Sequence, residues 1–109
     1  MITEINVETI EEYNEITSTE KTLVLSYAPW CKGCKIILPL LEEISDFEEM
    51  NDIKFYKMLS DKHKKIISYI GVKAIPVMLL YQNGIELKRK IGLLTEEELI
   101  IWINSNIKR

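Results

Sequence analysis

The sequence predicts an α/β fold built on a central mixed β-sheet with helices on both faces. Three observations predict it. Apolar strand-like runs alternate with segments of helical periodicity, which implies parallel strands joined through helices. Thr22–Ala28 ("TLVLSYA") is almost continuously apolar, as a strand covered on both faces must be. Asn83-Gly84 separates two further strand-like runs, Val77–Gln82 and Ile85–Ile91, and is a strong hairpin signal that adds an antiparallel edge.

The elements follow in order. Ile2–Val7 reads as a short strand. Thr9-Ile10-Glu11-Glu12 is a helix-start capping box, and Ile10, Tyr13 and Ile16 continue at helical spacing. After the Thr22–Ala28 strand, Pro29 and Trp30 break the run, and a helix is expected from Cys31 to about Met50. Ile37, Leu40, Leu41 and Ile44 share its apolar face, and Pro39 should kink it. Ile53–Leu59 is a strand, Lys62–Ile70 a short helix, and Gly71 its C-terminal cap. The hairpin comes next. Thr95-Glu96-Glu97-Glu98 then opens a last helix with Leu99, Trp102 and Ile103 as its apolar stripe.

The chain has 109 residues, 47% of them hydrophobic and 28% charged. That fits residues 1–109 as a single domain with one core. The net charge is −3, and no strongly basic face is legible, which argues against a nucleic-acid partner. No apolar run approaches the length that spans a bilayer, and the acidic start "MITEINVETIEEY" lacks a secretory pattern. A cytoplasmic protein is expected, and in that reducing compartment a permanent structural disulfide is not.

Both cysteines lie in "PWCKGCK", two residues apart, after a buried strand and at the start of a helix. A sulfur anion on Cys31 would face the unpaired N–H groups and partial positive charge of that helix end. The helix end contributes about 0.3–1 kcal/mol. That is less than one pKa unit, about 1.4 kcal/mol, so Lys32 and Lys35 are needed to add to it. Lys32 is a cation at the positive end of a helix, a local conflict of the kind expected where function overrides stability. Three readings of the pair stay open at this point. A redox dithiol suits a Cys-x-x-Cys in a β-α-β chain. A closed zinc site needs about four ligands, and His63 is the only other good donor. Inert core cysteines are the third, although a "WCKGC" loop makes a poor core segment.

Beyond the pair, "TLVLSYAPWCKGCK", Pro39, "GVKAIPVMLLYQNG", Gly92 and the last helix together resemble the thioredoxin family over essentially the whole chain. The resemblance implies the thioredoxin fold and a protein-disulfide reductase that bears a redox-active Cys31–Cys34 disulfide and no bound cofactor or metal. It implies Cys31 as the exposed nucleophile and Cys34 as the resolving thiol. It implies Pro76 in cis facing the pair, and the backbone of Ala74 and Ile75 pairing with an extended substrate segment. Trp30 and Gly92 would border that groove; simple packing is the other reading of Trp30. Its implied partners are disulfide-bearing proteins and a thioredoxin reductase or similar dithiol reductase, with the chain itself a monomer.

The chain departs from the family pattern twice. Lys32-Gly33 replaces Gly-Pro between the cysteines, which loosens the turn and favours a Cys31 thiolate. A pair somewhat more oxidising than ordinary thioredoxins is expected. Leu25 stands where the family usually keeps a buried aspartate that handles the proton of the resolving thiol. Lys57 remains where its partner lysine belongs, on a strand face with Ile53, Phe55 and Leu59. Without a counter-ion it would snorkel to water or carry a perturbed charge that assists Cys34. His63, in Lys62-His63-Lys64-Lys65, reads as part of a solvated charged face. Two alternatives accompany the reductase: a glutaredoxin-like or more oxidising exchanger, and a non-catalytic thioredoxin-fold binding module.

Overall fold

A computed structural model describes Met1–Arg109. Five strands form one sheet in the order β1-β3-β2-β4-β5, with β1 at Thr3–Glu4, β2 at Lys21–Tyr27, β3 at Lys54–Leu59, β4 at Val77–Gln82 and β5 at Ile85–Ile91. β1 and β2 run parallel to β3; β4 runs antiparallel to β2 and to β5. The helices are α1 (Ile10–Thr17), α2 (Lys32–Ser45), α3 (Lys64–Ile70) and α4 (Glu96–Asn106).

The pleat sorts the core into two layers. Leu23, Leu25, Phe55, Met78 and Leu80 pack with Ile37, Leu41 and Ile44 of α2 and with Leu99 and Ile103 of α4. Val24, Met58, Val77, Leu79 and Tyr81 pack on the opposite side with Tyr13 of α1 and Ile66 of α3. β2 is central and buried along its length, which explains its apolar run. Its one buried cation, Lys21, meets Glu20 at 3.2 Å and Asp52 at 3.5 Å. Both predicted capping boxes form, with Thr9 accepting from the Glu12 amide and Thr95 from the Glu98 amide. Gly71 closes α3 in the left-handed region at φ 70°.

Three expectations are corrected. β1 is two residues long, because past Glu4 the chain leaves the ladder after one more bond, Ile5 N–H to the Lys57 carbonyl at 2.8 Å. α2 ends at Ser45, short of Met50. Phe47 is extended and packs against the apolar layer, and Glu48–Met50 form a separate 3₁₀ turn that buries Met50. At helical spacing Phe47 would stay near the Leu40–Ile44 face, whereas Met50 would turn from it; the break brings Met50 into the layer. α3 starts at Lys64, and His63, which precedes it, is buried rather than solvated, at 6% exposure. Its Nε2 lies 3.1 Å from the Ile5 carbonyl oxygen, so the ring ties the β3–α3 loop to the end of β1.

Candidate active site

Cys31 follows β2 and is the N-cap of α2. Its Sγ accepts the backbone N–H of Cys34 at 3.2 Å, the position an oxygen-bearing cap side chain usually takes. The helix therefore presents a hydrogen-bond donor and its partial positive end to this sulfur. Cys31 and Cys34 form a disulfide, with their Cα atoms 5.3 Å apart. Cys34 is 2% exposed and Cys31 7%. The expectation of an exposed nucleophile is thus corrected to a narrow opening at Cys31. Ala28 forms one buried cluster with the pair, and Tyr27 and Ile75 pack against that cluster. The neighbouring Lys32 and Lys35 stay exposed on the first turn of α2.

The Ile75–Pro76 peptide bond is cis, and Pro76 is buried against the cysteine turn. A Cβ on Gly33 would stand 3.1 Å from Pro76 Cδ and 3.7 Å from Leu93 Cδ2. Gly33 is therefore the residue that lets the turn lie against the proline. Gly92, at φ 92°, donates its N–H to the Pro76 carbonyl at 2.9 Å, which anchors the loop after β5 beside the same proline.

Trp30, Ala74 and Ile75 line a groove of about 400 Å³ together with Ser60, Ile67, Val72 and Lys73. Trp30 is 67% exposed, so packing does not account for it. Its indole N–H donates to Asp61 Oδ2 at 2.9 Å, which holds the ring at the groove's edge. Larger hollows lie elsewhere, one of them beside Phe47, Glu48 and Glu49, but they are distant in sequence and chemistry from the thiols. Neither cysteine lines this groove, but Ile75, which does, packs against the cysteine cluster and sets the groove beside the pair.

Lys57 does not join that groove. It lies on the α2 side of the sheet, with its ammonium 3.9 Å from Glu4 Oε1 and 5.7 Å from the centre of the Tyr27 ring. The lysine without a counter-ion expected from sequence is corrected: Glu4 pairs with it, and at 27% side-chain exposure it is half-buried. Tyr27 donates its hydroxyl to the same Glu4 carboxylate at 2.5 Å. Burial, together with that bond and the anion itself, pushes the Tyr27 phenol well above its usual range.

Sequence reading missed Asp61, Leu93, Tyr27 and Glu4. Asp61 stands alone before a lysine-rich run and Glu4 sits in the acidic start of the chain, and only the fold brings them to Trp30 and Lys57. Leu93 carries a usable signal, an apolar residue directly after Gly92, and it is 49% exposed against the cysteine turn.

Comparison with known proteins agrees with this geometry. The thioredoxin family model matches residues 4–105. A thioredoxin of Rickettsia typhi is 36% identical over 104 residues, which cover 94% of this chain and 97% of that one. A thioredoxin of Mycoplasma genitalium is 30% identical across 96% of this chain and all of its own. Among solved structures, a Malassezia sympodialis thioredoxin superposes with a TM-score of 0.85 at 24% identity, covering 97% of this chain and 90% of that one. With a Cys-x-x-Cys pair at the head of α2 and relatives of this kind along nearly its whole length, the chain is a thiol–disulfide oxidoreductase that belongs to the thioredoxin family.

Proposed function

We propose that this protein reduces disulfides of other proteins, with Cys31 as the nucleophile and Cys34 as the resolving thiol. The observation that carries the reading is the bond from the Cys34 amide to Cys31 Sγ at the N-terminus of α2, beside an apolar groove. That donor and the helix field stabilise an anionic sulfur at Cys31. The Cys31 thiolate attacks one sulfur of a substrate disulfide, and the other substrate sulfur leaves with the bonding electron pair. The Cys34 thiol then loses its proton and attacks Cys31, forming the Cys31–Cys34 bond and releasing the second substrate thiolate. Two electrons pass from the dithiol to the substrate. The lower exposure of Cys34 supports this division of roles, because a buried thiol meets Cys31 far more often than it meets a second protein.

The substrate segment lies extended along Ala74 and Ile75, which precede β4, with Trp30 and Gly92 at its borders and Pro76 beneath it. Lys32 favours the thiolate of Cys31. The oxidised pair is returned to the dithiol by a separate reductase of the thioredoxin-reductase kind. The 109 residues act as one domain, as a monomer in the cytoplasm, in electron transfer that maintains redox balance. No helix is long and apolar enough to cross a membrane.

The test is reduction of a disulfide-bonded protein such as insulin by the wild type, Cys31→Ser and Cys34→Ser. The wild type should turn over, Cys31→Ser should be inactive, and Cys34→Ser should accumulate a mixed disulfide through Cys31. Activity that survives Cys31→Ser would reject the assignment.

A further inference from the structure

The chain as a whole is acidic, with 17 Asp and Glu against 14 Lys and Arg. The segments around the cysteine pair reverse that balance. Residues 28–35, from β2 into α2, and residues 60–76, from β3 through α3 to β4, carry six lysines and a single carboxylate, Asp61. Eight basic and sixteen acidic residues are left for the rest of the chain. The six are Lys32, Lys35, Lys62, Lys64, Lys65 and Lys73. All are exposed and none is in an ion pair, whereas Lys21, Lys57, Arg89 and Arg109 each have a carboxylate partner. Asp61 does not offset them, because its carboxylate is taken by the Trp30 indole.

Lys73 stands on the wall of the groove formed with Trp30, Ala74 and Ile75. Lys62, Lys64 and Lys65 line a second hollow of about 570 Å³. The two hollows adjoin. Ser60 and Ile67 line the first, Asp61 and Ile66 the second, and the bond from Trp30 to Asp61 crosses their boundary. A segment laid along Ala74 and Ile75 passes Lys73, and continued beyond Trp30 it meets the other three lysines. Lys62 donates to the Asn6 side-chain oxygen at 3.0 Å, which leaves Lys64 and Lys65 as the freer pair.

We propose that Lys73 and the lysine hollow dock carboxylates of the disulfide-bonded substrate, so that this protein selects proteins whose disulfide lies beside an acidic segment. This rests on the dithiol-exchange reading above and adds to it the class of substrate. Cations without partners attract an acidic segment, speed its encounter and fix its register on the groove. The occupant is short. Glu8 stands on the wall of the hollow, and Glu11 and Glu12 follow on α1, so a long polyanion such as nucleic acid would run from the lysines onto carboxylates. A second copy of this chain would bring the same lysines against themselves.

The experiment compares two synthetic peptides that carry the same disulfide, one flanked by glutamates and the other by glutamines. Each rate is divided by the rate of reduction by dithiothreitol, which removes the peptides' own difference in reactivity. An exposed charge pair changes affinity by about 1.5–5-fold. With several lysines engaged, the wild type should favour the glutamate peptide by about tenfold in kcat/KM at low salt, chiefly through KM. Lys73→Gln should reduce that preference by about twofold, and Lys64→Gln with Lys65→Gln by about threefold. Lys54→Gln, at the opposite end of β3, should leave the preference as it is. The preference should vanish between about 0.01 M and 1 M salt, as the screening length falls from about 30 Å to 3 Å. A wild type that reduces both peptides equally assigns the lysines to some other occupant, the recycling reductase included, and overturns the inference. A preference that survives the combined Lys64, Lys65 and Lys73 changes, or that Lys54→Gln lowers as much, overturns it too. A wild type that reduces neither peptide nor the test protein rejects the dithiol reading itself.

Discussion

The two residues between the cysteines, Lys32 and Gly33, shape what the pair can do. Gly33 is pressed to Pro76, where an added Cβ would come to 3.1 Å from the ring. A buried proline ring, held by the chain on both sides, cannot swing aside as a flexible side chain would. Gly33→Ala gains up to about 1 kcal/mol of helix preference and loses about 1–3 kcal/mol to overpacking. The expected result is a net loss of about 1 kcal/mol, seen as a melting temperature lower by roughly 4 °C, with slower substrate exchange; a higher melting temperature would refute this. Lys32 is an exposed cation beside the thiolate end of α2. Its attraction for the thiolate is that of an exposed opposite-charge pair, about 0.2–1 kcal/mol, which corresponds to about 4–20 mV. Lys32→Glu should lower the reduction potential by at least that much, and equilibration of both proteins with a glutathione buffer measures it. The same titration places the wild type against ordinary thioredoxins. A wild-type potential at or below theirs removes the expectation that this loop makes the pair more oxidising.

At the scale of elements, the helix starts are the parts most plainly written in the chain. Thr9-x-x-Glu12 and Thr95-x-x-Glu98 both close as reciprocal caps. Thr9→Ala and Thr95→Ala should each cost about 1 kcal/mol, measured by urea unfolding. Backbone and Thr9 side-chain bonds hold Glu12 below the ordinary carboxylate range, and bonds to Thr95 do the same for Glu98. A lowered folded-state value means the unfolded chain binds the proton first. This stability is therefore complete above the usual Glu value of 4.5 and is lost as pH falls through the lower folded value. The Thr9→Ala and Thr95→Ala variants should lose less of their stability than the wild type as pH drops from 5 toward 3. The end of α2 was not legible in this way. No glycine or proline marks the helix end at Ser45; only the structure shows the break, with Phe47 packed against the apolar layer and Met50 buried in it.

For the molecule as a whole, the contact to watch joins α1 to the central sheet. The hydroxyls of Tyr13 and Tyr81 lie 2.8 Å apart, both buried, sixty-eight residues apart in sequence. Burial raises both phenols, Tyr81 to about 12 and Tyr13 beyond it. For groups raised on folding, the unfolded chain ionises first. Their contribution is complete below the ordinary phenol value of 10.0 and fades as pH rises through the folded values. The wild type should therefore lose stability steeply above pH 10. Tyr13→Phe should cost about 1–3 kcal/mol near neutrality, because it leaves the Tyr81 hydroxyl buried without its partner. It should also flatten the alkaline fall, and an unchanged slope in denaturant titrations at pH 9 and 11 would reject the link. Arg89 makes a comparable long connection, donating to the Ile70 carbonyl at 2.8 Å and the Gly71 carbonyl at 3.2 Å while pairing with Glu86. It binds the end of α3 to β5 and steadies the segment that leads to Ala74 and Ile75.

By itself the sequence determined the alternation of strands and helices, the hairpin at Asn83-Gly84, both capping boxes and the reactive pair. All of these are set by side chains within a few residues of one another, through periodicity, turn chemistry and caps. Only the tertiary structure decided that Lys57 has a counter-ion, that His63 is buried and that Asp61 steadies Trp30. It alone showed that Cys31 is nearly covered. Those facts depend on strand order. β1 reaches β3 across the whole of α1, β2 and α2, and the register of the ladder then sets Glu4 beside Lys57. A local pattern carries no record of which strand will lie beside it, because pairing is settled by burial of the entire sheet at once.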